Sequence, residues 1–184
     1  MNDHELVIRL KNGDTSAFDE LYEKYKNQAV RTAFLITKNN DLSFDIAQEA
    51  FIRCYTNIAK LKNPLMFRSW FLKILVRTAW ELSKKDSAIV PVEEIFEKAE
   101  ENSLYSSDNT ADFRLLYEAV NSLNKKQRTV VVLHYFNDIS VKEIAEITGS
   151  FESTVKSQLF LARKKIKSYI EKSNGKGGLI INET

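Results

Sequence analysis

The stretch from Ser140 to Tyr169 constrains the fold more than any other, because apolar residues keep a helical spacing on both sides of a short break. Val141, Ile144, Ala145 and Ile147 give a first short helix one apolar face. Thr148-Gly149-Ser150 makes the turn, with Gly149 free to take the positive φ that a Cβ resists. A longer helix follows, its stripe of Val155, Leu159, Ala162, Ile166 and Tyr169 or Ile170 spaced by four, three, four and three or four. Its other sides are polar, then basic: Lys156, Arg163, Lys164, Lys165 and Lys167. A basic amphipathic helix alone is most often a solvated surface helix. A short helix, a glycine turn and a longer helix with a polar leading end make the helix-turn-helix plan for reading a DNA major groove.

On that plan Glu152, Ser153, Thr154, Lys156, Ser157 and Gln158 are types that hydrogen-bond base edges or phosphates. The cluster containing Arg163 and Lys164 suits phosphate contacts, which position a protein without reading sequence.

The remaining chain reads as helix as well. Two prolines and five glycines in 184 residues fit an all-α protein of one domain or two small ones. Residues 3 to 11 predict a short helix with Leu6, Val7 and Leu10 inward, stopped by Asn12-Gly13-Asp14. Thr15 or Ser16 is expected to cap the next helix, which runs to Ile36. Residues 38 to 41 read as a loop. Asp41 or Ser43 is expected to cap a helix over 45 to 61. Ile46, Ala47, Ala50, Phe51, Cys54 and Ile58 form its apolar face, and Asp45, Gln48, Glu49 and Ile52 another. Cys54 is most simply a small core residue.

Asn63-Pro64 breaks the chain, and a helix over 65 to 85 follows, with Trp70, Phe71, Ile74, Leu75 and Leu82 inward. Phe67, Arg68, Lys73, Arg77, Trp80, Lys84 and Lys85 mix aromatic and basic side chains along it. One reading is a core helix with snorkelling cations. The other is a platform for single-stranded DNA, on which each stacked base is worth roughly 1–3 kcal/mol. Thr129-Val130-Val131-Val132 favours a strand locally, but a lone strand has no partner, so Gln127 to Phe136 is expected to be helical.

Charge divides the chain. Residues 86–112 hold 8 acidic residues against Lys98, a net of −7, whereas 1–85 carry 14 basic and 10 acidic residues and 113–184 carry 12 and 7. A net charge of +2 thus hides two basic helical domains, 1–85 and 113–172, joined by an acidic flexible linker, 86–112, and followed by a glycine-rich flexible tail, 173–184. Fully stretched, such a linker spans about 90 Å, and as a random coil about 30 Å, so the two domains are expected to reach DNA sites several turns apart.

Catalysis is not indicated. His4 and His134 lie far apart, neither in a metal-ligand spacing, and no glycine-rich phosphate loop appears. His134 reads as a satisfied half-buried residue. Asp45 and Glu49, at i and i+4, read as a solvated or partner-binding face rather than a metal site. No cofactor, metal or small-molecule substrate is expected. A single cysteine, no signal peptide in MNDHELVIRL and no apolar run of about 18 residues point to a cytoplasmic protein.

These residues carry a resemblance. The chain resembles extracytoplasmic-function (ECF) sigma factors of the sigma-70 family over nearly its whole length. Asp14 to Tyr22 resembles the family's opening helix, and Asp45-Ile46-Ala47-Gln48-Glu49-Ala50-Phe51 its D-x-x-Q-E-x-F segment. Phe67-Arg68-Ser69-Trp70-Phe71 with Lys73-Ile74 resembles its F-R-S/T-W-L helix. Leu123 to Gln127, and the helix-turn-helix with Thr154-Val155-Lys156-Ser157 and Ala162-Arg163, resemble its C-terminal domain.

The resemblance implies a subunit that binds core RNA polymerase and directs promoter recognition and transcription initiation. Asp45, Gln48, Glu49, Phe51 and Ile52 match the positions that dock on the clamp of the large β′ subunit. Asn63, Pro64, Phe67, Arg68, Trp70, Lys73, Arg77 and Trp80 match those that read and melt promoter DNA near minus 10, where flipping a base costs a few kcal/mol of stacking. The helix-turn-helix would read DNA near minus 35, the acidic linker would thread the polymerase's nucleic-acid channel, and an anti-sigma factor is implied as a further partner. The chain departs from the family at Gln158 and Leu161, where arginines are usual, at Phe160, where a small or polar residue is usual, and at Arg77 and Glu81, where Asn and Asp are frequent. Either Ser150 caps the recognition helix one residue early or Phe151 points at the partner. The alternatives are a stand-alone helix-turn-helix regulator, with the N-terminal helices for dimerisation or sensing, and an interaction protein that binds something acidic.

Overall fold

In the computed structural model, residues 2–84 and 110–174 are described; most of the expected acidic linker and all but the first residues of the expected tail lie outside them. Among the described residues every regular element is a helix: α1 (Asp3–Lys11), α2 (Ser16–Thr37), α3 (Asn40–Asn57), α4 (Phe67–Leu82), α5 (Thr110–Asn121), α6 (Lys125–Val131), α7 (Val141–Thr148) and α8 (Glu152–Asn174). Short 3-10 turns at Ile58–Lys60 and Pro64–Met66 join α3 to α4, and a π-helical turn at Val132–Phe136 extends α6. The β-branched run Thr129 to Val132 is helical, as the lack of a partner strand requires.

Caps explain where the helices begin. Asn2 and Glu5 form a capping box on α1. Ahead of α2 Thr15 holds the N-cap position but makes no side-chain capping bond; the carboxylate of Asp14 caps instead, its Oδ1 accepting from the Ser16 N–H at 3.0 Å and the Ser16 hydroxyl at 2.6 Å. Arg9 clamps the same carboxylate at 2.8 Å. Asn39, not Asp41 or Ser43, caps α3, accepting from the Leu42 N–H at 3.0 Å. The helix therefore starts five residues earlier than expected, at Asn40. Lys38, between α2 and α3, sits in the left-handed region at φ 64°. Gly149 closes α7 at φ 67°. Further along, α4 ends at Leu82 rather than residue 85, and α5 begins at Thr110, inside the expected linker.

Aromatic side chains dominate the N-terminal core. Phe71 lies 4.7 Å from Phe51 and 5.8 Å from Tyr25, ring centroid to centroid, and Phe67 lies 5.5 Å from Tyr25. Cys54 is buried beside them, and burial pushes its thiol up to about 12, which keeps it protonated and unreactive. In the C-terminal core Val155, Leu159 and Ala162 of α8 meet Ile144, Ala145 and Ile147 of α7, the helix-turn-helix contact read from the sequence.

The two groups of helices do not stand apart. They share one apolar core, with Phe34 of α2 stacked on Tyr117 of α5 at 5.9 Å, and beside it runs a polar seam that nothing local in the sequence announces. The buried guanidinium of Arg128 on α6 donates to the Ile36 carbonyl at the end of α2 at 2.7 and 3.0 Å, and to the Leu123 carbonyl at 2.8 Å. Lys125 donates to the Ser83 hydroxyl at 2.5 Å and the Trp80 carbonyl at 3.3 Å. Lys38 donates to the Asn121 carbonyl, and Lys165 to that of Ser122 at 2.5 Å. The C-terminal ends of α2, α4 and α5 thus converge, and cations satisfy carbonyls those ends leave open. Burial lowers Lys38, Lys125 and Arg128 from their ordinary values.

Candidate nucleic-acid and partner interfaces

α3 carries the first face. Its core stripe uses Ala47, Ala50, Phe51 and Cys54, so the opposite side is solvent-facing by helical period. Asp45 and Gln48 are exposed, and Ile52 keeps 53% of its surface. Glu49 is half-buried and held by Arg53 at 2.7 Å. Phe51 does not belong to this face. It is 4% exposed, with rings of Tyr22 and Phe71 packed on it at 4.8 and 4.7 Å. Two residues the sequence reading passed over do belong: Phe44 and Tyr55, both exposed, line up with Gln48 and Ile52 at four, four and three residues. The result is an exposed stripe of Phe44, Ile52 and Tyr55 edged by the carboxylates of Asp45 and Glu49.

The second face lies on α4 and the turn before it. Asn63 accepts from the Leu65 N–H at 3.1 Å and fixes the Pro64 turn. Trp70 stands between two cavities. One, of about 260 Å³, is lined by Asn63, Trp70 and Lys73, with Glu143 and Glu146 of α7 on its far wall. The other, of about 290 Å³, is lined by Trp70, Arg77 and Arg53. Trp70, Lys73 and Arg77 share one side of the helix at i, i+3 and i+7, with Pro64 half-buried at its start. Phe67 is a correction: only 1% exposed, it is core, as its stacking with Phe71 requires. Arg68 and Trp80 turn toward the seam. Arg68 donates to the Asn137 carbonyl at 2.5 Å, and the Trp80 indole donates to the Thr129 hydroxyl at 3.2 Å.

The third face is the outer side of α8. Glu152, Ser153, Thr154, Lys156, Ser157, Arg163 and Lys164 are all exposed. Gln158 departs from the expectation: it is half-buried, and its side-chain oxygen is buried without a hydrogen-bond partner, so it is not offered as an acceptor to a base. Between Ser157 and Arg163 stands Phe160, 61% exposed, a candidate the sequence reading noted only as a departure. Phe151, 82% exposed, occupies the residue before α8, its carbonyl accepting from the Val155 N–H at 3.0 Å. Ser150 instead closes α7, its N–H donating to the Ala145 carbonyl at 2.9 Å. Of the two alternatives at the turn, the structure takes the outward-pointing phenylalanine.

Elsewhere, His134 is half-buried with its Nδ1 3.0 Å from the Ile139 carbonyl. Among the described residues no group of His, Cys, Asp and Glu is arranged to hold a metal ion, and no helix is long and apolar enough to cross a membrane.

An all-helical chain with a helix-turn-helix at one end and an aromatic–basic helix beside an exposed apolar stripe at the other defines a transcription protein that handles DNA and a partner together. Residues 21–88 match the family model for sigma-70 region 2, and residues 113–166 that for sigma-70, region 4. The RNA polymerase sigma factor SigV of Bacillus subtilis strain 168 is 33% identical over 154 residues, 82% of this chain and 89% of that one. The ECF RNA polymerase sigma-E factor of Haemophilus influenzae is 28% identical over 186 residues, 93% and 96% of the two chains. The fold matches that of CnrH, solved in complex with the cytosolic domain of CnrY, with a TM-score of 0.70 and 18% identity over 92% of this chain and 97% of that one. This chain belongs to the sigma-70 family of RNA polymerase sigma factors, in its ECF group. Its function is that of a sigma factor, which directs transcription initiation. The match to region 2 sets aside a stand-alone helix-turn-helix regulator.

Proposed function

We propose that the three faces divide the work of a sigma factor: α3 docks on core RNA polymerase, α4 handles promoter DNA near minus 10, and α8 reads the groove near minus 35. The observation that carries this reading is the exposed stripe of α3. Gln48 and Ile52 lie in the open beside Asp45 and Glu49, although a helix so rich in apolar residues has ample core to join. Carboxylates and an amide around an apolar centre suit a basic helical partner such as the clamp of the β′ subunit.

On α4, Trp70 offers a π-face for an unstacked base, while Lys73 and Arg77 hold its phosphates. Asn63 and Pro64 form the rigid lip of the same cavity. Arg68 and Trp80 complete the proposed set, although here they bond Asn137 and Thr129. On α8, Ser153, Thr154, Lys156 and Ser157 face the groove, with Glu152 at its mouth, and Arg163 and Lys164 flank the backbone. Phe160 supplies apolar contact to a thymine methyl, a major-groove feature that hydrogen bonds cannot read. CnrH, a match in fold, was solved with the cytosolic domain of CnrY; an anti-sigma inhibitor is the regulatory partner we assign here too. The protein has no catalytic step of its own in this reading and acts in the cytoplasm.

The test is run-off transcription with core RNA polymerase on a genomic template library. Transcripts that start at discrete sites only when the protein is added are expected. Absence of any product, together with failure to co-elute with core polymerase, rejects the assignment.

A further inference from the structure

Where the turn between α2 and α3 faces the end of α4 and the start of α6 lies a cavity of about 140 Å³. Thr37, Asn39 and Leu42 line one side, Ser83 another, and Lys125 and Arg128 a third. Among the described residues no carboxylate lines it. Lys125 and Arg128, at i and i+3 on α6, bring two positive charges to its wall, and Arg128 is only 7% exposed.

The bonds these cations already make do not use them up. Carbonyls take three of the five N–H groups of Arg128. A hydroxyl and a carbonyl take two of the three on Lys125. Every one of those partners is neutral, and helix-end carbonyls offset only part of a full charge. Buried charges are ordinarily paired with an opposite charge, and this guanidinium is sunk in the protein without one. Its surroundings sharpen the imbalance. Burial, then repulsion from Lys84 and Arg128, lowers Lys125 from its ordinary value. Burial, then repulsion from Arg128 and Lys165, does the same to Lys38, and burial brings Arg128 down to about 10. No carboxylate offsets any of the three.

We propose that this cavity is a site for one tetrahedral oxyanion, a free phosphate or the terminal phosphoryl group of a small metabolite, held between the Lys125 ammonium and the Arg128 guanidinium. Charge and size select this class. A planar fork beside a point charge is the pairing that recognises phosphate oxygens. Asn39 and Leu42 are the cap and first turn of α3, so the positive end of that helix adds to the same field. A cavity of about 150 Å³ takes up one benzene-sized molecule, so a single phosphoryl group fits, whereas a nucleic-acid backbone, with a sugar on each side of every phosphate, does not. The site goes beyond the sigma-factor reading and does not depend on which face meets polymerase or promoter DNA.

The test titrates the full-length chain with inorganic phosphate at constant ionic strength, chloride making up the balance, and reads calorimetric heat and the melting midpoint. Binding of one phosphate per chain and a saturable rise in midpoint are expected, because a ligand of the folded state stabilises it. Lys125→Gln should weaken binding about ten-fold, the size of one hydrogen bond to a charged group. Lys26→Gln removes a cation paired with Glu23 earlier on α2 and should bind as wild type does. Phenyl phosphate identifies the source: uptake of both compounds means a terminal phosphoryl group, and uptake of inorganic phosphate alone means the free ion. A midpoint rise matched by chloride, more than one phosphate per chain, or Lys125→Gln binding like wild type would each overturn the site. The first two are read on the wild-type chain, so the proposal stays exposed to refutation even where the variant does not fold.

Discussion

Arg53 on α3 reaches Glu81 on α4 at 2.6 Å while its Nε holds Glu49, on its own helix, at 2.7 Å. One guanidinium therefore links the proposed polymerase face to the proposed DNA helix. Both pairs are exposed enough that water screens them, and such pairs contribute about 0–1 kcal/mol each. Glu81→Gln is expected to lower stability by no more than about 1 kcal/mol in a urea melt. A loss several times larger would show that the pair is structural.

Phe67 separates two accounts of the same motif. As a DNA contact, its loss would spare folding. As the core residue seen here, Phe67→Ala is expected to cost about 3–5 kcal/mol, because the void beside Tyr25 and Phe71 cannot close. Thermal or urea denaturation reads this directly, and an unchanged midpoint would contradict the packing described.

Ile52→Asp should act in the opposite way. A change at an exposed position usually alters stability by about 0.5 kcal/mol or less. Charge in the centre of an apolar contact disrupts binding. Normal melting with loss of co-elution from core polymerase is the expected pair of results. Retained co-elution would move the docking surface elsewhere.

On α8, Lys156→Ala and Phe160→Ala are expected to differ in kind. Removing the cation should weaken binding to all duplexes alike and reduce the slope of log K against log salt by about 1. Removing the ring should leave that slope alone and relax preference at one base pair. Binding titrations at several salt concentrations, with holoenzyme on matched and mutated upstream elements, distinguish the two.

Acidity should loosen α7. The Ser69 hydroxyl, then that of Ser140, with Arg68 nearby, holds the Glu143 carboxyl below its ordinary value of 4.5. A carboxylate with a lowered folded value contributes stability fully above the unfolded value and loses it as pH falls through the folded one. Wild type should therefore exceed Glu143→Gln in stability at neutral pH, and the gap should close below the ordinary carboxylate range. A gap that persists in acid would mean that packing, not charge, accounts for the difference.

Sequence alone revealed the helices and the helix-turn-helix, because a repeated apolar stripe and Gly149 are local signals. Starts were less legible. Asp14 and Asn39 cap through side chains that compete with equally plausible neighbours, and only geometry selects them over Thr15, Ser16, Asp41 and Ser43. Phe51 and Phe67 were misplaced because a family motif does not distinguish residues that touch a partner from residues that shape the surface beneath it. Helical period alone puts Phe51 in the core, where it lies. The seam was not legible at all: Arg128 meets Ile36 and Asn137 meets Gln28 across 92 and 109 residues, and no spacing rule connects residues so distant.

Lys38 shows what such distant contacts ask of a position. A non-glycine residue in the left-handed region bears a local penalty of roughly 1–2 kcal/mol, which glycine would relieve. Glycine, however, has nothing to extend toward Asn121. Replacing Lys38 with glycine to relax the bend would make the corner more comfortable and remove one of the ties between the two halves of the molecule, so a search for thermostable variants that scores each residue by its own backbone would choose the wrong substitution at this site.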